Sequence, residues 1–207
     1  VFAPWGDMEN AMRANNLPLW ALESQDAVKD FDMIAFTIGY EMAYTSIVNM
    51  LDLAGVPIYA KDRHDLSQMV FAGGVCTFNP EPLAPFFDFF SLGEGEDITV
   101  EIVSLYDRAK AEGWSKDAFL HDVAKIPGVY VPSFYEHSYN PDGTLAAITP
   151  VNGAPKVITK RIVEDLDNAY YPTKMIVPST EIVHDRANLE VFRGCIRGCR
   201  FCQAGIF

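Results

Sequence analysis

The sequence predicts an α/β fold that is built on a parallel sheet. Through the first half of the chain, short apolar runs alternate with segments of helical periodicity, which is typical of strands joined by helices. Glycine follows several of the apolar runs, at points where a strand would turn into its next loop. The chain has 207 residues, of which 49% are hydrophobic, so it is long enough to bury one full core and begin another.

Four apolar runs are the predicted strands of this sheet. Residues 31–38 are predicted to be a central buried strand, and residues 41–54 then place apolar side chains at helical spacing until Gly55 ends the helix. Further strands are predicted at 56–60, 69–72 and 89–92, followed by a long helix at 97–112.

The loops after three of these strands are predicted to lie at one edge of the sheet. In open α/β sheets, ligands bind beyond the carboxyl ends of the strands. We therefore expect residues 37–40, 73–76 and 93–96 to share an edge, which we call the ligand rim.

Glycines in the rim loops would let a bound cofactor approach the backbone closely, because they carry no Cβ. The run from Gly93 to Glu96 lacks the third glycine of a dinucleotide fingerprint, and its carboxylates would repel a pyrophosphate. A nicotinamide or flavin site of that type is therefore excluded. The candidate cofactor-binding glycines are Gly73, Gly74, Gly93 and Gly95.

Residues 114–163 change in character and are predicted to form a β-rich connector. A short helix at 115–125 would be capped by Ser115, and Pro127 with Gly128 would end it. Strands are predicted at 129–132, 134–139, 145–148 and 157–163, with a turn at 140–143.

The charge and hydropathy of the chain limit its partners. A formal net charge of −12 argues against non-specific binding to nucleic acid or anionic membranes, because phosphate neutralisation requires surplus lysine and arginine. No leader or apolar run near eighteen residues is present. We expect a cytoplasmic protein without a membrane partner, and we expect this chain to be a piece of a longer one.

Three cysteines near the end of the chain carry the strongest chemical signal. Cys195, Cys199 and Cys202 have the spacing C-x3-C-x2-C, and no fourth cysteine lies nearby. Three thiolates can bind three irons of a four-iron, four-sulfur cluster and leave the fourth iron open to a substrate. Gly194 and Gly198 would let the backbone wrap around the cluster. Neighbouring arginines would favour the thiolate form.

Other uses of these cysteines are less favoured. A structural zinc site normally has four protein ligands, whereas the only other cysteine, Cys76, is far away in sequence. Four cysteines in a chain of this length do not make a disulfide-dense scaffold. Three free core cysteines would have to cluster by coincidence between glycines and arginines.

The motif resembles the signature of the radical S-adenosylmethionine (SAM) superfamily. The resemblance implies that Cys195, Cys199 and Cys202 hold a [4Fe-4S] cluster whose open iron binds SAM, and that Phe201 packs near the adenine. It also implies that residues 188–194 are the first strand of a (β/α) barrel, truncated here, that leads into the cluster loop. An electron donor such as flavodoxin or ferredoxin would reduce the cluster.

The first part of the chain resembles the Rossmann-like, cobalamin-binding-type domain that precedes the barrel in one branch of that superfamily. The resemblance rests on the order of the predicted strands, the Gly73-Gly74 pair, Pro80-Glu81 and the run from Gly93 to Glu96. It implies three parts: a cobalamin-binding-type domain (1–113), the connector (114–163) and the start of the radical SAM core (164–207). Whether cobalamin binds is left open, because Asp62-Arg63-His64 matches the cobalt-binding histidine motif only in part.

The predicted function is therefore reductive cleavage of SAM to start radical chemistry on an unknown substrate. If cobalamin binds, the reaction would be a cobalamin-dependent methyl transfer. The alternative is a non-catalytic iron–sulfur protein for electron transfer or sensing, which would usually have a fourth cysteine ligand. A tRNA methylthiotransferase is disfavoured because it would carry three further upstream cysteines. Cys76 and the pair His184 and Asp185 are better explained as structural residues.

Overall fold

The computed structural model describes residues 1–174, 177, 183, 186 and 188–204. Contacts divide the chain into two compact units, Val1–Arg161 and Ile162–Phe207. The single border between them lies within two residues of residue 164, the predicted start of the last part, whereas the three-part division itself stays a prediction. Inside the described ranges, no helix combines the length and apolar character needed to cross a membrane.

The first unit is a mixed α/β structure in which a four-stranded sheet is followed by a hairpin. The sheet strands are in the order β1-β2-β3-β4, with the first three parallel and β4 antiparallel to β3. The predicted α/β class with a parallel sheet is confirmed. The helices are α1 (Gly6–Ala14), α2 (Tyr44–Ala54), α3 (Gly95–Glu112) and α4 (Lys116–Val123), and the strands are β1 (Met33–Thr37), β2 (Met69–Gly73), β3 (Phe89–Ser91), β4 (Val129–Tyr130), β5 (Tyr135–Tyr139) and β6 (Leu145–Pro150).

The two faces of the sheet bury separate cores because successive strand residues point in opposite directions. On one face, Val70 and Phe90 pack with the apolar side of α2. On the other face, Phe71 and Phe89 pack with side chains of α3 and α4. Both α4 and β4 thus belong to the sheet structure of the first unit, which continues past residue 113.

The ends of the helices follow local sequence signals. Gly55 follows α2 with a left-handed φ of 70°, and Gly113 follows α3 with a φ of 69°, as expected of glycine C-caps. At α4, the Ser115 side chain accepts a hydrogen bond of 3.1 Å from the N–H of Ala118. The predicted cap of that helix is confirmed.

Three predicted strands are absent from the described structure. Residues 56–60 form an irregular loop that leads to a 3-10 turn at Ala60–Asp62. Residues 157–163 contain only an isolated bridge between Arg161 and Gly93. Residues 188–194 are irregular and pair with no strand in the part of the chain that is described, so the expected first barrel strand is not confirmed.

Candidate functional site

The predicted ligand rim is a single edge of the sheet. Because β1, β2 and β3 are parallel, the loops that follow them leave from the same side. The first two loops are joined directly, since the N–H of Ile38 donates to the carbonyl of Gly73 at 2.8 Å and the N–H of Cys76 donates to the carbonyl of Ile38 at 3.1 Å. Thr77 connects the second loop to the end of β3, because its Oγ1 donates to the carbonyl of Ser91 at 3.3 Å.

Gly74 is needed by the fold of the rim itself. Its φ is 101°, and a Cβ at this position would lie 2.7 Å from the carbonyl oxygen of Ile38. The neighbouring Gly73 has an ordinary conformation, and a Cβ there would make a normal contact of 3.6 Å with the carbonyl oxygen of Ser91. The close approach at Gly74 is therefore made by the loop after β1.

Gly93 is needed for a second crossing of the backbone. Its φ is also 101°, and a Cβ would lie 2.1 Å from the carbonyl oxygen of Arg161. The N–H of Glu94 donates to that oxygen at 3.0 Å, and the N–H of Arg161 donates to the carbonyl of Leu92 at 2.9 Å. Gly95 begins α3, and a Cβ there would touch only Thr99 Oγ1, at 3.6 Å. The end of β3 is thus covered by residues near Arg161.

The rim carries one free, half-buried thiol, that of Cys76. Burial, together with the nearby carboxylate of Glu41, raises the pKa of the Cys76 thiol. A raised pKa is the opposite of what an activated cysteine nucleophile requires. Arg161, whose backbone bonds to the rim residue Glu94, has its charge paired with Glu101.

A buried cluster of charges lies near the amino ends of the strands, opposite the ligand rim. The sequence did not predict it. The side chains of Arg63 and Asp88 are 2% and 0% exposed, and they are 3.1 Å apart. Lys116 Nζ lies 2.5 Å from Asp88 Oδ1, and the N–H of Val70 donates to Asp88 Oδ2 at 2.7 Å. The only sign of this cluster in the sequence is one carboxylate, that of Asp88, inside the apolar run at 86–90.

The two cations of this cluster also hold the loop before β2. Arg63 donates to the carbonyls of Pro57 at 2.6 Å and Phe86 at 2.8 Å. Lys116 donates to the carbonyls of Ala60 at 3.0 Å and Arg63 at 2.7 Å. Side-chain donors therefore satisfy carbonyls that a neighbouring strand would otherwise have to satisfy. This explains why residues 56–60 are a loop.

A cavity of about 660 Å³ adjoins the buried charges, and His64 lines it. Its walls include Phe87 and Asp88, the two residues that precede β3, so it is at the amino end of that strand. Burial lowers the pKa of Arg63, while the charge of Asp88 acts in the other direction. Every nitrogen of this guanidinium donates to a protein oxygen. Arg63, Asp88 and Lys116 therefore serve the fold, and His64, which lines a cavity at the amino end of β3, is remote from the ligand rim.

A second polar network links the sheet to the hairpin. The hydroxyl of Tyr130 donates to Glu81, and His137 Nε2 lies 3.0 Å from the other carboxylate oxygen of Glu81. Burial and, after it, the hydrogen bond to Glu81 raise the pKa of Tyr130. The network connects β4, the turn at Glu81–Phe86 and β5.

The cysteine motif belongs to the second unit and is open to solvent. Cys195, Cys199 and Cys202 are free and exposed, and Phe201 is 93% exposed. The N–H of Cys202 donates to the carbonyl of Cys199 at 3.1 Å. The φ angles of two glycines are left-handed, 78° at Gly194, directly before Cys195, and 62° at Gly198, between Cys195 and Cys199.

The donor set of this loop fits an iron–sulfur cluster in chemistry and access. Three thiols on a glycine-turned, exposed segment can all be reached by an incoming cluster, and thiolate is the ligand such clusters require. The described residues nevertheless contain no group of three or more His, Cys, Asp or Glu side chains close enough to hold a metal ion. His184 and Asp185 lie outside the described residues.

Comparison with known proteins places the first unit in a family. Residues 1–132 match the family described as "Radical SAM proteins, N-terminal". The chain belongs to this family. The match ends before the cysteine motif, and it does not separate the cobalamin-type branch of the superfamily from others.

The chain is also similar to a protein of Methanocaldococcus jannaschii that is described as uncharacterized. The two are 25% identical over 194 residues, which are 91% of this chain and 34% of that protein. The chain thus spans about a third of the length of this relative. No solved structure matches the chain.

Proposed function

We propose that this chain is the cluster-bearing part of a radical SAM enzyme, with Cys195, Cys199 and Cys202 as the ligands of a [4Fe-4S] cluster. One observation carries the proposal: a chain whose first 132 residues match the radical SAM N-terminal family also contains the C-x3-C-x2-C motif. The bound cluster would supply an electron for the reductive cleavage of SAM, which starts radical chemistry on a substrate that is still to be found.

The residues of the loop would act by binding and shielding. The three thiols would ligate the cluster, and Gly194 and Gly198 would keep Cβ atoms away from it. Phe201 would pack against the adenine of SAM and exclude water from the open iron. The substrate is not assigned, and the electron would come from a small carrier such as flavodoxin or ferredoxin.

Iron–sulfur reconstitution without oxygen, followed by electron paramagnetic resonance of the reduced protein, tests this assignment. We expect about four irons per chain and a spectrum that changes when SAM is added. Cys199→Ala should abolish the signal, whereas Cys76→Ala should retain it because Cys76 lies in the other unit. A cluster that is indifferent to SAM would favour the electron-transfer or sensing alternative, and zinc in place of iron would contradict the proposal.

Cobalamin is a further cofactor that we propose for the same enzyme, at the ligand rim of the first unit. The parallel loops that meet at one edge support this location, since such edges are where open α/β sheets bind ligands. His64 would not be the cobalt ligand because it lines a cavity at the other edge.

Titration with hydroxocobalamin, followed by absorbance, tests whether cobalamin binds. We expect binding that His64→Ala leaves unchanged, because no residue at that edge would touch the corrin. Loss of binding in His64→Ala would overturn the proposed location. Absence of binding to the unsubstituted chain would remove cobalamin from the function.

A further inference from the structure

The last segment of the first unit, residues 158–161, crosses the carboxyl end of β3, and we call it the strap. The N–H of Arg161 donates to the carbonyl of Leu92 at 2.9 Å, and the carbonyl of Arg161 accepts from the N–H of Glu94 at 3.0 Å. These two bonds form a parallel bridge between Arg161 and Gly93. The strap therefore lies on the third loop of the ligand rim, residues 93–96.

Two glycines form the recess that holds the backbone of the strap. Gly93 and Gly128 both have a positive φ, 101° and 93°. A Cβ at Gly93 would lie 2.1 Å from the carbonyl oxygen of Arg161, and a Cβ at Gly128 would lie 3.3 Å from the nitrogen of Arg161. Any larger residue would occupy this space. The strap therefore has a specific docked position at the end of β3.

The side chains of the strap reach two further elements of the rim. Arg161 forms an ion pair with Glu101 of α3. Lys160 Nζ lies 6.0 Å from the ring centroid of Phe78, which ends the 3-10 turn that follows β2. The strap is thus in contact with the segments that follow β2 and β3.

The docked strap and a ligand exclude each other at Gly93. The carbonyl oxygen of Arg161 fills the space from which a ligand would contact this glycine. The same oxygen accepts the N–H of Glu94, the N-cap residue of α3, and so takes a donor that a bound ligand would otherwise use. A ligand that contacts the third rim loop must therefore displace the strap.

The contacts of the strap are those of a segment that opens locally. None of residues 155–161 is fully buried, and the side chains of the Arg161–Glu101 pair are 24% and 41% exposed. By contrast, Leu92 is buried, and its N–H donates to the carbonyl of Gly128 inside the sheet at 2.8 Å. Segments with few buried apolar contacts open at a lower free energy than the cores do.

We infer that the strap is a gate over the third loop of the ligand rim. It opens while both cores stay folded, and only its open state makes Gly93 and the N–H of Glu94 available to a ligand at the rim. The identity of that ligand as cobalamin rests on the proposed function, whereas the opening of the strap does not.

Amide hydrogen exchange followed by NMR, on the 207-residue chain without ligand, tests the opening. Relative to their unstructured rates, the amides of Glu94 and Arg161 should exchange about tenfold faster than that of Leu92, or more. Low urea concentrations should accelerate exchange at Leu92 and leave it nearly unchanged at Glu94 and Arg161, because local opening exposes little surface. Equal rates with equal urea dependence at the three amides would overturn the inference, as would a complete lack of protection at Glu94 and Arg161.

Arg161→Pro opens the gate by substitution, because proline has neither the N–H that bonds to Leu92 nor the charge that pairs with Glu101. Exchange at Glu94 should become about tenfold faster, as expected for the loss of one hydrogen bond, and exchange at Leu92 should not change. Arg161→Lys keeps the N–H and the charge, and it should behave like the unsubstituted chain. If Arg161→Pro also loses protection at Leu92, the milder Glu101→Gln decides, with a smaller change in the same direction.

Titration of the same variants with hydroxocobalamin tests the competition between the strap and a rim ligand. Apparent affinity falls with the fraction of molecules in the binding-competent state, so Arg161→Pro should bind up to about tenfold more tightly and Arg161→Lys should bind as the unsubstituted chain does. Equal or weaker binding by Arg161→Pro would contradict the gate. If no chain binds hydroxocobalamin, the cobalamin proposal fails, and hydrogen exchange alone then decides whether the strap opens.

Discussion

At the scale of single residues, the structure predicts that substitution of Asp88 lowers the free energy of unfolding most. Its buried carboxylate faces both Arg63 and Lys116, and it also accepts the N–H of Val70. A buried charge cluster is stable only while it is complete, since removal of one partner leaves the others desolvated and unpaired. Asp88 therefore supports the loop before β2, the start of β2 and the start of α4 together.

We expect Asp88→Asn to lower the free energy of unfolding by about 3–5 kcal/mol, because it leaves two buried cations without a counter-charge. The measurement is urea unfolding followed by circular dichroism. Asp52→Asn is the matched control: Asp52 pairs with Arg13 at 2.8 Å but its side chain is 50% exposed, so its loss should cost about 1 kcal/mol or less. Equal effects of the two substitutions would show that the buried cluster contributes no more to the free energy of unfolding than an exposed ion pair does.

The glycines of the rim lead to a second prediction for single residues. At Gly93, alanine would bring a Cβ into the backbone of Arg161 in addition to the cost of its positive φ. Gly113 has a positive φ of 69°, and a Cβ there would have no other atom within 4 Å. Alanine at Gly113 therefore carries the conformational cost alone, about 1–2 kcal/mol.

Gly93→Ala should therefore destabilise the chain clearly more than Gly113→Ala, because the segment at Arg161 has to move away from the end of β3. The readouts are the free energy of unfolding and the rate of proteolytic cleavage around residue 161. Cleavage should become faster only in Gly93→Ala. If both variants behave alike, the crossing at Arg161 contributes nothing to stability.

At the scale of helices and strands, the sequence predicted the elements whose ends carry local signals. β1, β2 and β3 are apolar runs that end at polar or glycine residues, and α2 and α4 have a glycine stop and a serine cap. Residues 56–60 have the same apolar character, but distant side chains satisfy their carbonyls. No local pattern reveals a lysine that reaches back 56 residues in the chain to Ala60.

At the candidate site too, local sequence signals are visible and long-range contacts are not. The glycines at positions 74 and 93 can be recognised in the sequence, but the backbone groups that approach them cannot be predicted from it. The carbonyls of Ile38 and Arg161 fill these places, and their proximity depends on the parallel order of the strands and on the return of the chain after the hairpin. The cysteine spacing, by contrast, is a local pattern and is visible without the fold.

The cap of α4 gives a prediction for an element. Ser115→Ala should lower the free energy of unfolding by about 1 kcal/mol, because the N–H of Ala118 loses its acceptor. Ser104→Ala is the control, since Ser104 is exposed inside α3 and alanine is the better helix former. Chemical denaturation of both variants is sufficient. A loss at Ser104 as large as that at Ser115 would argue against a capping role.

At the scale of the whole chain, the division at Arg161 separates the cores from the cysteine motif. Both hydrophobic clusters lie inside the first unit, and the last residues that pack against them are Ala154 and Ile158. The side chains of the cluster loop are exposed. The stability of the fold and the chemistry of the motif therefore depend on different stretches of the sequence.

A chain that ends at Arg161 should consequently unfold with the same free energy as the 207-residue chain, to within about 0.5 kcal/mol, the usual spread for changes away from a packed core. A shorter chain that ends at Pro150 should be less stable, because it loses Arg161, whose backbone bonds to Leu92 and Glu94, as well as the apolar contacts of Ala154 and Ile158. Urea unfolding of the three chains makes the comparison. If the chain ending at Arg161 is as unstable as the one ending at Pro150, the residues after 161 contribute to the cores, and the two units are one cooperative structure.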